Sequence, residues 1–229
     1  MLARDWYYNQ RRRIGLDTAV VSLCDHDEDS DLRARAALET LGVKPGWRVA
    51  DIGCGNGIFA CEAALMGAEV DAIDISPAML QLAELYARSR RAPIRTRPSG
   101  LLSFAYEPNS YDLIVSEFTL HHLPDFWKAV ALSRIHAALK PGANFYLRDI
   151  VFVSMPDGRE RSIEQWADFN IKNHDFERDS VVTHMRDEYS TFGWVIERML
   201  TEIGFTLVSA DYHAPLHGTY LLQKPKPGG

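Results

Sequence analysis

The stretch of chain that decides the fold is Val49-Ala50-Asp51-Ile52-Gly53-Cys54-Gly55-Asn56-Gly57. A short apolar strand leads into three alternating glycines, and the apolar pattern of residues 58–66 predicts that a helix follows them. Because glycine has no Cβ, the chain can turn sharply here and a ligand can approach its backbone closely. The N–H groups at the start of the helix would face that ligand. A turn that binds nothing is the alternative, but three alternating glycines weaken a helix start unless a ligand must come close.

Predicted strands and helices alternate on both sides of this turn. The predicted strands are 48–51, 69–73, 94–97, 111–116 and 144–149, and the predicted helices are 31–41, 58–66, 77–90 and 126–139. Ser76 is expected to cap the helix that begins with Pro77. Two further strands, 205–212 and 219–223, follow near the end of the chain. The pattern predicts an α/β fold with a doubly wound, mostly parallel seven-stranded sheet and an antiparallel C-terminal strand pair.

The length of the chain, 229 residues, suits a single domain that spans residues 1–229. Residues 1–28 are predicted to form an N-terminal arm. Residues 150–190 interrupt the alternation, ahead of a helix that is expected to start near Thr191, and they are too many for an ordinary connection. Ligand crevices in parallel sheets open beyond the carboxyl ends of the strands. We therefore predict that residues 150–190 form a helical cap insertion over the substrate.

The composition narrows the classes of partner. Hydrophobic residues make up 46% of the chain, charged residues 24%, and the formal net charge is -6, which gives no reason to expect nucleic-acid binding. The three cysteines form no CxxC pair and the histidines show no metal-ligand spacing, so we expect neither a disulfide framework nor a metal site. The sequence shows no signal peptide and no membrane-spanning stretch, and it predicts a cytoplasmic protein that acts on a small molecule.

Two classes of cofactor use glycine turns of this kind. Residues 55–60 satisfy the G-x-G-x-x-A pattern of dinucleotide-binding turns. Asp51, however, ends the preceding strand, where a carboxylate would repel a pyrophosphate and attract the ammonium and sulfonium groups of S-adenosylmethionine. Asp74 lies about 20 residues after the glycines, where an acid can accept hydrogen bonds from ribose hydroxyls. Asp71, in the same strand, is interpreted as a solvent-facing residue near the strand's start.

Four segments together resemble the class I S-adenosylmethionine-dependent methyltransferases, and in particular their small-molecule branch. They are the glycine turn, residues 67–80, residues 112–124 and the Leu-Lys-Pro-Gly sequence at 139–142. The resemblance implies a Rossmann-like methyltransferase fold, S-adenosylmethionine as the cofactor and a glycine turn that wraps its methionine portion. It also implies that Ile75 packs against the adenine. The acid that often binds the adenine amino group in this family is missing at Gly100, so we expect backbone groups of residues 100–102 to replace it.

The candidate site residues fall into three groups. Those predicted to bind the cofactor are Asp51, Gly53, Cys54, Gly55, Asn56, Gly57, Asp74, Ile75, Gly100, Leu101 and Ser116. The catalytic candidates are Glu117, His122 and Tyr189, since a hydroxyl or ammonium nucleophile needs a base to take its proton. A structural role for the adjacent His121 and His122 is the alternative, with one ring bonded to backbone and the other packed beneath a helix. The residues predicted to bind the substrate are His184, Arg186 and Glu188, and Arg186 could pair with a carboxylate.

The sequence thus predicts a methyltransferase that uses S-adenosylmethionine to methylate a small, polar metabolite. The first alternative is a nicotinamide-dependent oxidoreductase, although no Tyr-Lys or similar hydride-transfer constellation is recognisable. The second is a module that binds S-adenosylmethionine without catalysis, and the third is an enzyme that transfers another part of that cofactor. The acceptor atom and the oligomeric state do not follow from the sequence.

Overall fold

The computed structural model describes residues 30–153, 164–165, 167–168, 171–172, 187–213 and 217–227. The predicted N-terminal arm and most of the predicted cap insertion lie outside these residues. Within the insertion, the described residues 164–165, 167–168 and 171–172 are helical. The chain divides between Val115 and Ser116 into two compact units. That residues 1–229 form a single domain stays a prediction.

The regular elements are as follows. The strands are β1 (Arg48–Ile52), β2 (Glu69–Asp74), β3 (Ile94–Pro98), β4 (Tyr111–Glu117), β5 (Leu139–Phe152), β6 (Thr191–Phe192), β7 (Thr206–His213) and β8 (His217–Gln223). The helices are α1 (Ser30–Thr40), α2 (Ile58–Leu65), α3 (Pro77–Arg90), α4 (Asp125–Ala138) and α5 (Gly193–Ile203), with a 3₁₀ turn at Leu120–His122. Most of the predicted boundaries are confirmed to within two residues. In the part of the chain that the structure describes, no helix is both long and apolar enough to cross a membrane.

The strands form one sheet in the order β3-β2-β1-β4-β5-β8-β7, and β6 pairs with β5 outside this path. β1 is parallel to both β2 and β4, and β2 is parallel to β3. β8 runs antiparallel to β5 and to β7. The predicted α/β sheet with an antiparallel C-terminal pair is therefore confirmed, with one more strand than expected. The chain order reverses between β1 and β4, and ligands bind at such a switch point in doubly wound sheets.

The start of α3 follows the sequence prediction closely. The Ser76 hydroxyl accepts a hydrogen bond from the Met79 N–H at 3.4 Å, and Pro77 occupies the first turn. Capping in this way satisfies one of the N–H groups that a helix start leaves without a partner. It fixes the point at which the chain leaves β2, just after Asp74.

Asp71 is not solvent-facing, contrary to the prediction, because its side chain is 2% exposed. Its carboxylate accepts a hydrogen bond from the Tyr111 hydroxyl at 3.0 Å and from the Nε atoms of Arg95 and Arg97, both at 3.2 Å. Arg48 approaches it at 3.8 Å. A buried carboxylate is tolerated when charged donors surround it, and the neighbouring strands supply those donors here.

β5 is longer than predicted and contains a segment that was expected to end the preceding helix. Leu139 already begins the strand, directly after α4, and every second residue from Ala143 to Val151 is buried. The Gly142 N–H donates to the Lys224 carbonyl at 2.8 Å, and the Lys224 N–H donates to the Ala143 carbonyl at 2.9 Å. These bonds to the chain after β8 hold residues 139–142 in the sheet, and no local signal in the sequence reports them.

The helix that was expected near Thr191 begins two residues later. Thr191 and Phe192 instead pair with Val151 and Phe152 as the short strand β6. The prediction was wrong here because a two-residue strand is specified by its partner across the sheet and leaves no periodic pattern of its own.

Candidate active site

The glycine turn has the backbone that its sequence predicts. Gly53, Gly55 and Gly57 have φ angles of +74°, +53° and +81°, a conformation that residues with a Cβ rarely adopt. The N–H groups of Gly53 and Cys54 both donate to the Ile73 carbonyl, at 2.8 and 3.0 Å. The turn is thus anchored to the end of β2.

Asp74 holds the opposite side of the turn. One carboxylate oxygen accepts the Gly55 N–H at 3.0 Å and the other accepts the Ser76 N–H at 2.8 Å. An ionised carboxylate has about four acceptor positions, so it can still receive hydrogen bonds from a ligand hydroxyl. Asp74 therefore shapes the turn in addition to the ribose contact predicted for it.

Gly57 has a packing role that the sequence did not reveal. A Cβ at this position would lie 2.7 Å from the Cβ of Ala83 and 3.0 Å from its Cα. Because α2 and α3 meet this closely, packing alone accounts for a glycine here. Its contact with a cofactor stays a prediction.

The turn lies in an electronegative environment. Asp51 is 3% exposed at the carboxyl side of β1. The pKa of the Cys54 thiol is raised well above its usual value, first by burial and then by the negative charges of Asp51 and Asp74. Cys54 therefore stays a neutral thiol, and the two carboxylates favour a positively charged group beside the turn.

Ile75 and Gly100, the predicted adenine neighbours, lie side by side. An ideal Cβ at Gly100 would be 3.8 Å from the Ile75 Cβ, which is ordinary contact distance. The Gly100 N–H donates to the Ser103 hydroxyl at 3.0 Å, so this backbone group already has a partner. We therefore do not expect the Gly100 N–H to be the backbone group that contacts the adenine. Leu101, the next residue, is buried, with 6% of its surface exposed.

In the second compact unit, Asp149 organises the 3₁₀ turn. One of its oxygens accepts the N–H groups of Leu120 and His121 at 2.7 and 3.1 Å, and the other bonds His121 Nδ1 at 2.5 Å. The second oxygen also accepts the Ile150 N–H at 2.7 Å. Burial would raise the pKa of Asp149, but His121 and the Ile150 N–H outweigh it and hold the pKa below its usual value.

His121, His122 and Glu188 form a cluster beside this turn. One Glu188 oxygen, Oε2, lies 2.8 Å from His121 Nε2 and 2.8 Å from His122 Nδ1. Burial disfavours the charged form of His121, yet the carboxylates of Asp149 and Glu188 raise its pKa to about 9. Both rings thus contact carboxylates, an arrangement that the sequence did not predict. The carboxylate of Glu188, which is predicted to bind the substrate, contacts the two histidines, and its role in substrate binding stays a prediction.

The segment that carries Glu188 is tied to the 3₁₀ turn through its backbone. The Tyr189 N–H donates to the His121 carbonyl at 2.8 Å, and Lys128 Nζ donates to the Tyr189 carbonyl. Lys128 is 1% exposed and also bonds Asp125 at 2.7 Å. The Tyr189 side chain is 39% exposed. Tyr189 is therefore partly accessible to solvent while its main chain is fixed.

Two further candidates, Ser116 and Glu117, lie at the end of β4. The Glu117 carboxylate lies 3.9 Å from Arg148 Nη1, and Ser116 is 1% exposed within β4. His184 and Arg186 lie outside the described residues. Sequence reasoning missed Asp149 and Lys128. Only the position of Asp149 at the predicted end of a strand offered a signal for it.

Comparison with known proteins agrees with this geometry. Residues 49–142 match the family model of a methyltransferase domain. The ubiquinone biosynthesis O-methyltransferase of Xanthomonas campestris pv. campestris (strain B100) is 35% identical over 105 residues, which are 45% of this chain and 43% of that protein. The match thus spans less than half the length of this curated relative.

Solved structures share the fold over most of the chain. A SAM-dependent methyltransferase from Aquifex aeolicus has a TM-score of 0.65 and 18% identity, covering 91% of this chain and 98% of that one. The 4+2 cyclase SpnF has a TM-score of 0.67 and 15% identity, covering 86% and 81%. At these identities the likeness concerns the fold alone. The matched family model, the strand order and the glycine turn together identify residues 49–142 as a methyltransferase domain.

Proposed function

We propose that the chain transfers the methyl group of S-adenosylmethionine to a small, polar metabolite. The observation that carries the proposal is the glycine turn, fixed in left-handed backbone by Asp74 and Ile73 and flanked by the buried Asp51. A turn in which every second residue is a glycine, beside two carboxylates, accommodates a compact cationic group.

The charge at this turn distinguishes between the candidate cofactors. Asp51 and Asp74 both act on the Cys54 thiol, so their fields reach the turn itself. A pyrophosphate would meet two negative charges there, whereas the ammonium and sulfonium of S-adenosylmethionine would be attracted. The oxidoreductase alternative is thereby disfavoured, and none of the comparisons above supports it.

When bound, S-adenosylmethionine supplies a methyl group that is already activated by the positive sulfur. The chain then has to hold the acceptor, exclude water and remove a proton from it. We assign proton removal to Glu117 or His122, and acceptor contacts to Tyr189, whose ring is exposed. Glu188 holds His122 through Nδ1, which orients that ring. His184 and Arg186 keep their proposed role in binding the acceptor.

Calorimetry of the purified chain should show binding of S-adenosylhomocysteine and of S-adenosylmethionine, and no heat with NAD. The reason is the charge of the turn, which favours the cationic amino acid portion of these ligands. NAD binding in the absence of binding to either sulfur ligand would reverse the assignment of the cofactor.

Asp74→Ala should weaken binding of S-adenosylhomocysteine by about 1–3 kcal/mol, the scale of a lost hydrogen bond to a charged group. The variant also releases the Gly55 N–H, so the turn loses part of its shape. Glu69→Ala is the matched control, because Glu69 is an exposed carboxylate at the other end of β2. Equal affinities for the two variants would place the ribose elsewhere.

Turnover is tested by incubating the chain with methyl-labelled S-adenosylmethionine and a metabolite extract. Formation of a labelled small molecule together with S-adenosylhomocysteine supports methyl transfer. Cofactor binding with no labelled product, and no S-adenosylhomocysteine, would instead support the non-catalytic alternative. Consumption of the cofactor with the label retained on another fragment would support transfer of a different group.

A further inference from the structure

We propose that His121, His122 and Glu188 bind a divalent transition-metal ion of the zinc class. Among the residues that the structure describes, these three each offer one ligand atom, and the atoms lie within 4.8 Å of one another. Spacing along the chain could not reveal the site, since Glu188 lies in a different segment from the two histidines. The inference does not rest on the proposed methyl transfer, because metal binding is measured without cofactor or substrate.

The ligand atoms are already close to the positions that an ion requires. Glu188 Oε2 is 2.8 Å from both His121 Nε2 and His122 Nδ1. Zinc binds imidazole nitrogen and carboxylate oxygen at about 2.0–2.2 Å, which in a tetrahedron separates neighbouring ligand atoms by about 3.4 Å. The two Glu188 contacts therefore have to lengthen by about 0.6 Å to admit the ion, and the two histidine nitrogens lie within 4.8 Å of each other. Two imidazoles and one carboxylate also suit zinc, iron or cobalt better than magnesium or calcium, which prefer oxygen.

The ring nitrogen of His121 that does not face Glu188 contacts a carboxylate, as is usual for metal-binding histidines. Its Nδ1 bonds Asp149 at 2.5 Å, which leaves Nε2 directed towards Glu188. Ligating histidines commonly donate their other ring N–H to a carboxylate, and this contact fixes the ring and strengthens the ligand. Asp149 is itself held by three backbone N–H groups, those of Leu120, His121 and Ile150. The hydrogen bonds that position the site therefore extend beyond the three ligands to Asp149 and to the backbone around it.

The backbone around the site is fixed as well. The Tyr189 N–H bonds the His121 carbonyl, and buried Lys128 bonds the Tyr189 carbonyl. The segment with Glu188 is therefore held against the turn that carries both histidines. His121 is buried, and the side chains of His122 and Glu188 are 17% and 15% exposed. The ligands are thus largely shielded from solvent, and the exposed parts of His122 and Glu188 give an ion access to the site.

Three protein ligands leave a coordination position for a further oxygen, as in zinc sites that bind water or substrate. An acceptor hydroxyl bound there would lose its proton more easily. His122 would then serve as a ligand, and Glu117 would remain as the group that removes the proton. An oxygen-bearing acceptor is thus the substrate class that a metal-loaded form would take.

Cobalt(II) titration of the full chain, freed of metal by chelator and dialysis, tests the proposal. We expect one Co²⁺ per chain, with visible absorption typical of four or five coordination, and displacement of that absorption by Zn²⁺. The buried thiols of Cys54 and Cys61 are alternative ligands. Binding through them would add strong near-ultraviolet sulfur-to-cobalt absorption, and its appearance as the main signal would overturn the assignment.

Glu188→Gln should lower the affinity for Co²⁺ at least tenfold and remove the visible band, because the amide replaces a charged ligand. Glu202→Gln is the matched control, an exposed glutamate on α5 whose loss should leave the titration unchanged. His122→Gln gives a second, independent variant, and circular dichroism verifies that each variant is folded. The proposal fails if the parent chain binds no stoichiometric Co²⁺. It also fails if a folded Glu188→Gln or His122→Gln binds the ion as the parent does.

Discussion

Asp149→Asn is expected to lower the free energy of unfolding by about 3–5 kcal/mol, the scale for removing one partner of a buried ion pair. Asp149 is 3% exposed and accepts four hydrogen bonds, three of them from backbone N–H groups. An asparagine amide can accept at only one of its two positions, and its NH₂ group would face donors. Chemical denaturation followed by circular dichroism measures the loss.

Asp211→Asn provides the control for that measurement. Asp211 is an exposed residue of β7, so the same chemical change there should shift the unfolding free energy by no more than about 0.5 kcal/mol. If the two variants unfold at the same denaturant concentration, Asp149 does not organise the 3₁₀ turn as the hydrogen bonds indicate.

Gly57→Ala is expected to destabilise the chain through two separable effects. A residue with a Cβ at φ +81° costs about 1–2 kcal/mol. The overlap with Ala83, whose Cβ would be 2.7 Å away, adds about 1–3 kcal/mol because α2 and α3 must shift apart. Thermal or chemical unfolding of the variant gives the sum of the two effects.

Gly42→Ala separates them. Gly42 has a φ of +69°, and a Cβ there would meet no atom within 4 Å. This variant therefore reports the backbone cost alone, and the difference between the two variants reports the helix contact. Equal destabilisation would show that α2 and α3 tolerate the extra methyl group, contrary to the packing described.

The features that could be predicted from sequence are those whose cause is local. Three glycines separated by single residues determine a turn, and Ser76 before Pro77 determines a helix start, because the deciding contacts lie within a few residues. The alternation of apolar strands with helices then restricts the sheet to a few topologies. These elements bring the predicted cofactor residues of the first unit together.

The features that could not be predicted depend on partners far along the chain. Asp71 is buried because arginines on other strands reach it. Glu188 contacts His121 and His122 only in the folded chain, because α4, β5 and the residues after them separate the two segments in the sequence. The pairing of β6 has the same origin. A hydrophobic pattern reports which face of an element is buried, but it does not report which charged group will lie opposite.

The segment from 187 to 192 owes its path to main-chain hydrogen bonds. The Tyr189 N–H and carbonyl are both bonded, and Thr191 and Phe192 are paired with β5. These are main-chain bonds, so any residue other than proline can form them at position 189. Exchanging Tyr189 for another residue that has a backbone N–H therefore leaves these main-chain bonds available. If Tyr189 makes the acceptor contact proposed above, a saturation library at this one position should change which molecules the protein accepts while these main-chain bonds are kept.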